Sequence, residues 1–182
     1  MSMAFLFAAV SALLIWVSRA SLRAPGSHGF YRFFVWECLV ALFLLNAAAW
    51  FREPFSPAQL VSWLLLLASA VLAVHGVVLL RQLGRPDARR DDAPLVGFEK
   101  TTLLVTQGVY RYIRHPLYLS LILLAWGIFL KDPSWAGFLL ALAAPVLLAA
   151  TAVAEETENV RYFGAAYQEY MKHTSRFLPH LF

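Results

Sequence analysis

The sequence predicts an all-α, polytopic integral membrane protein, with about five transmembrane helices followed by an amphipathic cytoplasmic helix at the C-terminus. Three observations carry this prediction. The 182 residues are 60% hydrophobic and 14% charged, whereas a soluble domain averages about 45–50% apolar and about 25% charged. The apolar residues gather in five runs. The basic residues lie almost entirely on one side of the membrane that those runs define. A water-soluble domain of this length cannot bury so much apolar surface, and a disordered chain would not carry it. Lipid is the solvent this composition fits.

The runs are Met3 to Val17, Phe33 to Trp50, Leu60 to Leu80, Leu117 to Leu130 and Trp135 to Ala154. A spanning helix needs about 20 residues, with a range of about 17–25, so the second, third and fifth qualify outright. The first qualifies by extending to Met1. No basic residue precedes it, so it reads as a retained helix rather than a secretory signal. The fourth is short and is expected to borrow turns from Arg114-His115-Pro116. Lys131-Asp132-Pro133-Ser134 then turns the chain into the fifth run, making a helical hairpin. The expected organisation is a single membrane domain. Residues 1–80 hold three spans, 81–116 a cytoplasmic loop that is mobile over its charged part from Arg85 to Pro94, 117–154 the hairpin, and 155–182 a cytoplasmic tail.

The charges orient this arrangement. Arg19, Arg23 and Arg32 follow the first run. Arg81, Arg85, Arg89, Arg90, Lys100, Arg111 and Arg114 precede the fourth, and Arg161, Lys172 and Arg176 lie in the tail. Five spans put these 13 residues on one side, against Arg52 and Lys131 on the other. An excess of Lys and Arg marks cytoplasmic loops. The expected N-terminus is therefore outside and the C-terminus cytoplasmic, in a bacterial inner membrane. Topology accounts for the net charge of +4, and a nucleic-acid partner has no remaining support. The single cysteine, Cys38, excludes an intrachain disulfide and a cysteine-only metal cage, and reads as a small buried hydrophobe. The five histidines show no paired ligand spacing, so no metal site is expected. Phosphate-loop, serine-hydrolase and βαβ patterns are absent.

Polar residues collect at two places on the basic side. In the first, Gly108 fits a turn and Pro116 fits the opening turn of a helix, where its missing N–H costs nothing. That turn presents free N–H groups and a positive dipole end, suited to the carboxylate of a small ligand. The plainer alternative is that Arg111, Arg114 and His115 anchor a helix end at the headgroups. In the second, Glu155-Glu156-Thr157-Glu158 follows the fifth run directly. Val160, Phe163, Tyr167, Tyr170 and Met171 then trace one face of an amphipathic helix. An acidic pair there reads either as a solvated helix turn or as a carboxylate facing a cationic ligand group. Within the runs, Glu37 and His75 fit helix-packing hydrogen bonds, and Glu37 is also close enough to the interface to snorkel.

Leu-Val-Thr-x-Gly-Val-Tyr-Arg-x-x-Arg-His-Pro-x-Tyr (Leu104 to Tyr118), the hairpin, the Glu pair, Phe-Gly-x-x-Tyr-x-x-Tyr (Phe163 to Tyr170) and Leu178-Pro179 together resemble the isoprenylcysteine carboxyl methyltransferase family and the related phospholipid methyltransferases. The resemblance spans roughly Thr101 to Pro179. It implies S-adenosyl-L-methionine (SAM) as cofactor, held by Thr102, Leu103, Leu104, Val105, Tyr110, His115, Pro116, Leu117, Tyr118 and Glu155, with Tyr167 as a further aromatic contact. Arg114 and Glu156 are expected in the catalytic role, and Thr151 at the substrate. The implied partners are the bilayer and a lipophilic or lipid acceptor bearing a carboxylate, amine or thiol. SAM brings a methyl already activated by its sulfonium, so the protein has mainly to align the acceptor and exclude water. A carboxylate acceptor needs no base, whereas an amine or thiol needs a proton acceptor.

Three positions depart from the isoprenylcysteine enzymes. Thr151 stands where they carry a substrate-binding Arg, Thr102 replaces a His, and His173 replaces a common tail Arg. The departures fall mostly on the substrate half of the implied site. Sterol reductases resemble the same pattern and would imply NADPH, but they carry an Asp-rich exit and a Trp where this chain has Glu155-Glu156 and Tyr167. A non-enzymatic membrane protein retaining the fold is the third alternative.

Overall fold

The computed structural model describes residues 2–90 and 97–179, and among these it contains seven α-helices and no strand. Helix α1 (Met3–Val17) starts at a Ser2 cap, whose Oγ accepts from the Phe5 N–H at 3.3 Å. That cap stops the helix short of the extension to Met1. Its 15 residues include no buried side chain, and it packs on α3 along one side. A single turn, α2 (Arg19–Leu22), leads to α3 (His28–Leu45), capped by Ser27. A 3₁₀ turn at Ala47–Ala49 and a short connection precede α4 (Pro57–Leu83), which opens on proline. Helices α5 (Pro116–Phe129) and α6 (Trp135–Phe163) form the expected hairpin, with Ser134 capping the second. Three helices, α3, α4 and α6, are long and apolar enough to cross a membrane; α1 and α5 are apolar but shorter.

The structure corrects four expectations. Helix α5 does not borrow a turn from Arg114 and His115: it begins at Pro116, with His115 at φ −122° and ψ 61°. A residue before proline is pushed out of the helical region. The N–H groups of Arg114 and His115 donate instead to the Ser175 and Arg176 carbonyls, at 2.9 and 3.1 Å. Second, α6 continues nine residues past Ala154, so the Glu pair lies inside it. Third, the helix traced from Val160 to Met171 is two helices. They meet at Gly164, whose φ of +62° suits glycine, and α7 covers Ala165–His173. Fourth, Arg32 is not a loop cation but a buried residue of α3, bonded to Glu99.

Of the stretch expected to be mobile, Asp91 to Pro94 lies outside the described residues. The described part is pinned. The Asp87 N–H donates to the Lys100 carbonyl at 2.9 Å, and the buried Arg90 donates to the Thr101 carbonyl at 2.6 Å. Cys38 is half-buried. Glu37 accepts from the Ser11 hydroxyl at 2.6 Å, tying α1 to α3, and His75 is exposed on α4.

The packing pairs α5 with α4 and α6 with α3, and α5 also meets α6. The core between them mixes large and small side chains: Val35, Leu39 and Leu42 from α3, Ala125 and Ile128 from α5, and Ala141, Ala144, Leu148 and Ala152 from α6. Lipid supplies little hydrophobic drive between helices, so close packing and interhelical hydrogen bonds carry the association. Both operate here. A Cβ on Gly127 would stand 2.9 Å from the Leu66 Cγ and 3.3 Å from its backbone N. Ser62 donates to the Gly127 carbonyl at 2.6 Å and Ser69 to the Ser120 carbonyl at 2.7 Å, which fixes the register of α4 on α5.

Candidate active site

At the end where α4 finishes and α5 starts, the connection between them folds back over the helix ends. The Gly84 carbonyl accepts from the N–H groups of Thr102 and Leu103, at 2.9 and 3.0 Å. Gly108, at φ +60°, opens a 3₁₀ turn to Arg111. A side chain there would strike Leu79, 2.6 Å from the Cβ position, with His75 Nε2 next at 3.2 Å. This turn sends Tyr110 inward, where its carbonyl accepts from the Tyr170 hydroxyl at 2.6 Å. The last described segment then runs beside the chain entering α5. Ile113 and Ser175 form a parallel bridge, and the Ser175 N–H donates to the Tyr112 carbonyl at 3.1 Å.

These elements enclose a cavity of about 660 Å³, counting its open mouth. That is within the range of small-molecule sites. Two carboxylates, Glu99 and Glu155, four tyrosines and an aliphatic wall that includes Leu104, Val105 and Leu117 line it. The first turn of α5 forms part of the wall. Among its N–H groups, Pro116 has none and Leu119 donates to the His115 carbonyl, so Leu117 and Tyr118 supply the opening donors of the helix.

Neighbouring positions on α6 separate the acidic pair, since adjacent helical residues point about 100° apart. Glu155 faces the cavity, accepts from the Tyr118 hydroxyl and lies 3.5 Å from His115 Nδ1. Glu156 is buried on the other side. There it takes Arg114 Nε at 2.9 Å, Arg176 Nη2 at 2.7 Å and His115 Nε2 at 3.2 Å. Arg114 also donates to the carbonyls of Met171 and Thr174. His115 therefore bridges the two glutamates. Burial opposes its charge, but the two carboxylates outweigh that and hold its pKa above the ordinary histidine value. Burial and then the Glu155 charge push the phenols of Tyr110 and Tyr167 up, so both remain neutral donors.

Behind the cavity sits a second ionic group. Glu99 accepts from Arg32 at 2.5 Å, and the fully buried His28 ring lies between Glu99 and Glu158. Burial favours the neutral form of Glu99, but Arg32 and His28 outweigh it and hold its pKa below the ordinary carboxylate value. The buried Arg90 guanidinium stacks 3.7 Å from the Tyr162 ring and reaches Asn159 Oδ1, a residue of the lining.

Of the residues implicated from sequence, the cavity brings together Leu104, Val105, Tyr110, Arg114, His115, Pro116, Leu117, Tyr118, Glu155 and Tyr167. Four lie outside its lining. The Thr102 hydroxyl donates to the Arg85 carbonyl, and Leu103 is exposed. Thr151 is wholly buried and bonds back to the Leu147 carbonyl. Glu156 is enclosed by its cationic partners. Sequence reasoning missed Leu80, Glu99, Thr101 and Asn159 in the lining, and Arg32, His28 and Glu158 behind it, and gave no contact to Phe163 and Tyr170 although both stand in the quoted motif. Asn159 also carried a usable signal, standing one helical turn after Glu155.

A family model described as phospholipid methyltransferase matches residues 64–166, more than half of the chain. No curated protein and no solved structure matches it.

Proposed function

The chain belongs to the phospholipid methyltransferase family, and from this we propose that it transfers a methyl group from SAM to a lipophilic acceptor at the cavity between α4, α5, α6 and α7. The observation that carries the reading is the convergence of Glu155, Tyr118 and His115 in a cavity that Tyr110 and Tyr167 also line. The donor set fits SAM. Its amine and sulfonium are cations, which carboxylates and tyrosine faces attract. Its carboxylate suits the first-turn N–H groups of Leu117 and Tyr118. When bound, SAM supplies a methyl group activated by positively charged sulfur.

The chain's own residues do the rest. Glu155 holds the cationic end, and Tyr118 and His115 hold Glu155. Leu104 and Val105 give the ligand body an apolar wall, while Thr102 and Leu103 fix the backbone that carries them. Arg114 and Glu156, bonded to each other and to the last described segment, with Glu156 also on His115, act as positioning residues that keep that segment against the cavity. Thr151 packs α6 above the site. The acceptor is a lipophilic carboxylate, lipid amine or thiol drawn from the bilayer. Water is excluded by the enclosing tyrosines, and alignment of acceptor and methyl supplies most of the acceleration.

In this reading all five apolar helices cross the bilayer, with the N-terminus outside, the cavity and α7 cytoplasmic, and the membrane that of a bacterial interior. With Arg32 placed in α3, the remaining basic residues divide 12 to 2 between the two sides, which supports this. Helix α5, with 14 residues, is only about 21 Å long. It crosses with the help of the non-helical residues at its two ends.

Incubation of the purified protein with radiolabelled SAM and a host lipid extract, followed by identification of the labelled lipid, tests the proposal. A labelled product is expected. Binding of NADPH with none of SAM would overturn the reading in favour of a reductase.

A further inference from the structure

Two concavities flank α6 near its end, and one ionic chain joins them. The first is the candidate active site, where Glu99 is exposed by 14%. The second is a surface groove between the Ala24–Ser27 turn and α6, lined by Val153, Thr157, Glu158 and Arg161, where Glu158 is exposed by 15%. His28 lies between them with no exposure at all. Its Nδ1 hydrogen-bonds Glu158, and Glu158 also accepts from the His28 backbone N–H at 3.1 Å. Its Nε2 has no hydrogen-bond partner among the described residues and faces Glu99 Oε2 across 3.9 Å.

Orphaned buried polar atoms are rare and costly, and this one points at a carboxylate. Two carboxylates facing one ring favour its charged form, so the ring must pass a proton to Glu158 before it can take another. We propose that Glu99, His28 and Glu158 form a proton relay that carries the proton lost by the methyl acceptor out of the cavity to water at the α6 groove. The proposal rests on the methyltransferase reading, and it applies to an amine or thiol acceptor.

The acceptor's nitrogen or sulfur bonds to the methyl carbon as the carbon–sulfur bond to the sulfonium breaks, giving a thioether and a surplus proton. Glu99 takes that proton. The charged His28 ring gives its Nδ1 proton to Glu158 and then to water, and a ring flip turns the freed nitrogen to Glu99, whose proton it takes to restore the charged ring. Transfer requires the 3.9 Å gap to close to about 3 Å. Arg32, 2.5 Å from Glu99, makes Glu99 a poor store for a proton and a ready one to pass it on. The charged groups facing His28 are Glu99 from the connection, Glu155 and Glu158 from α6, and Arg32 from its own helix. A carboxylate acceptor loses no proton and does not need the relay.

The test uses the full chain in nanodiscs with ¹⁵N-labelled histidine. The relay predicts that the His28 ring protons exchange with D₂O through Glu158. Glu158→Gln should slow that exchange at least tenfold, and Glu158→Asp should restore it. Glu99→Gln, which cuts the inner end only, should leave it fast. Unchanged exchange in Glu158→Gln overturns the proposal. In a second arm, tritiated SAM and the host lipid extract serve as probes. Glu158→Gln should lower kcat at least tenfold with unchanged SAM affinity, and imidazole in the buffer should restore it. A kcat that does not fall, or a fall that imidazole does not restore, also overturns it. Failure of the wild type to bind SAM strikes the methyltransferase reading instead, and the exchange arm still decides the relay.

Discussion

The ring of His115 lies flat against the ring of Tyr118, with centroids 5.2 Å apart and planes within 6° of parallel, and the polar atoms of both converge on Glu155. The two are three residues apart across the start of α5, so Pro116 sets the pairing by fixing where the helix begins. Tyr118→Phe keeps the stacking and removes the donor to a half-buried carboxylate. A hydrogen bond to a charged group is worth about 1.5–3 kcal/mol, and the variant should be less stable by that amount in a detergent unfolding titration. An unchanged midpoint would show that Glu155 does not depend on the phenol.

Glu156 holds three cationic groups in place. Removing one partner of a buried ion pair strands the other, at about 3–5 kcal/mol. Glu156→Gln leaves Arg114, 7% exposed, without its counter-charge. The variant should lose stability in that range, and limited proteolysis should cut sooner beyond α7. Arg176→Ala, at a residue one-third exposed, should cost only about 1 kcal/mol, since water screens its charge.

Stability should follow pH with two limbs. His115 has a folded pKa above the ordinary 6.5, so the folded state binds its proton more tightly than the unfolded chain. Its contribution is complete below 6.5 and is lost as pH rises through the folded value. Glu99 has a folded pKa below the ordinary 4.5. Its contribution is present above 4.5 and is lost as pH falls through the lower folded value. A Tm–pH profile should show a plateau between the limbs, and His115→Asn should flatten the alkaline one. An alkaline limb unchanged in that variant would contradict the assignment.

The contact of α4 with α5 should resist even a methyl group. Gly127→Ala gains about 1 kcal/mol of helix propensity. It also places a Cβ against Leu66, and overpacking of this kind costs about 1–3 kcal/mol. The net effect should be a loss of up to about 2 kcal/mol in the same unfolding titration. A stabilised variant would mean that the helices separate freely.

What could be read from the sequence was local. Proline at the start of α5, the Lys131–Ser134 turn and the apolar lengths of α3, α4 and α6 are properties of short segments. The closeness of Arg-His-Pro to the Glu pair followed from the hairpin between them. What could not be read was long-range pairing. Nothing local links His28 to Glu158, 130 positions on, or Arg32 to Glu99, because the first bond exists only once α3 lies along α6 and the second only once the connection between α4 and α5 folds back against α3. Arg114 was legible as a cation near the site. Its commitment to Glu156 and to the carbonyls beyond α7 was not, since those partners arrive from the last described segment.

In the proposed reaction Glu155 anchors SAM in the cavity. Isothermal titration of SAM into the nanodisc-embedded protein, wild type and Glu155→Gln, tests it most directly. The account predicts saturable one-site binding to the wild type and at least a hundredfold weaker binding to the variant, a difference of about 2.7 kcal/mol. Equal affinity in the two proteins, or no binding to the wild type, would contradict it.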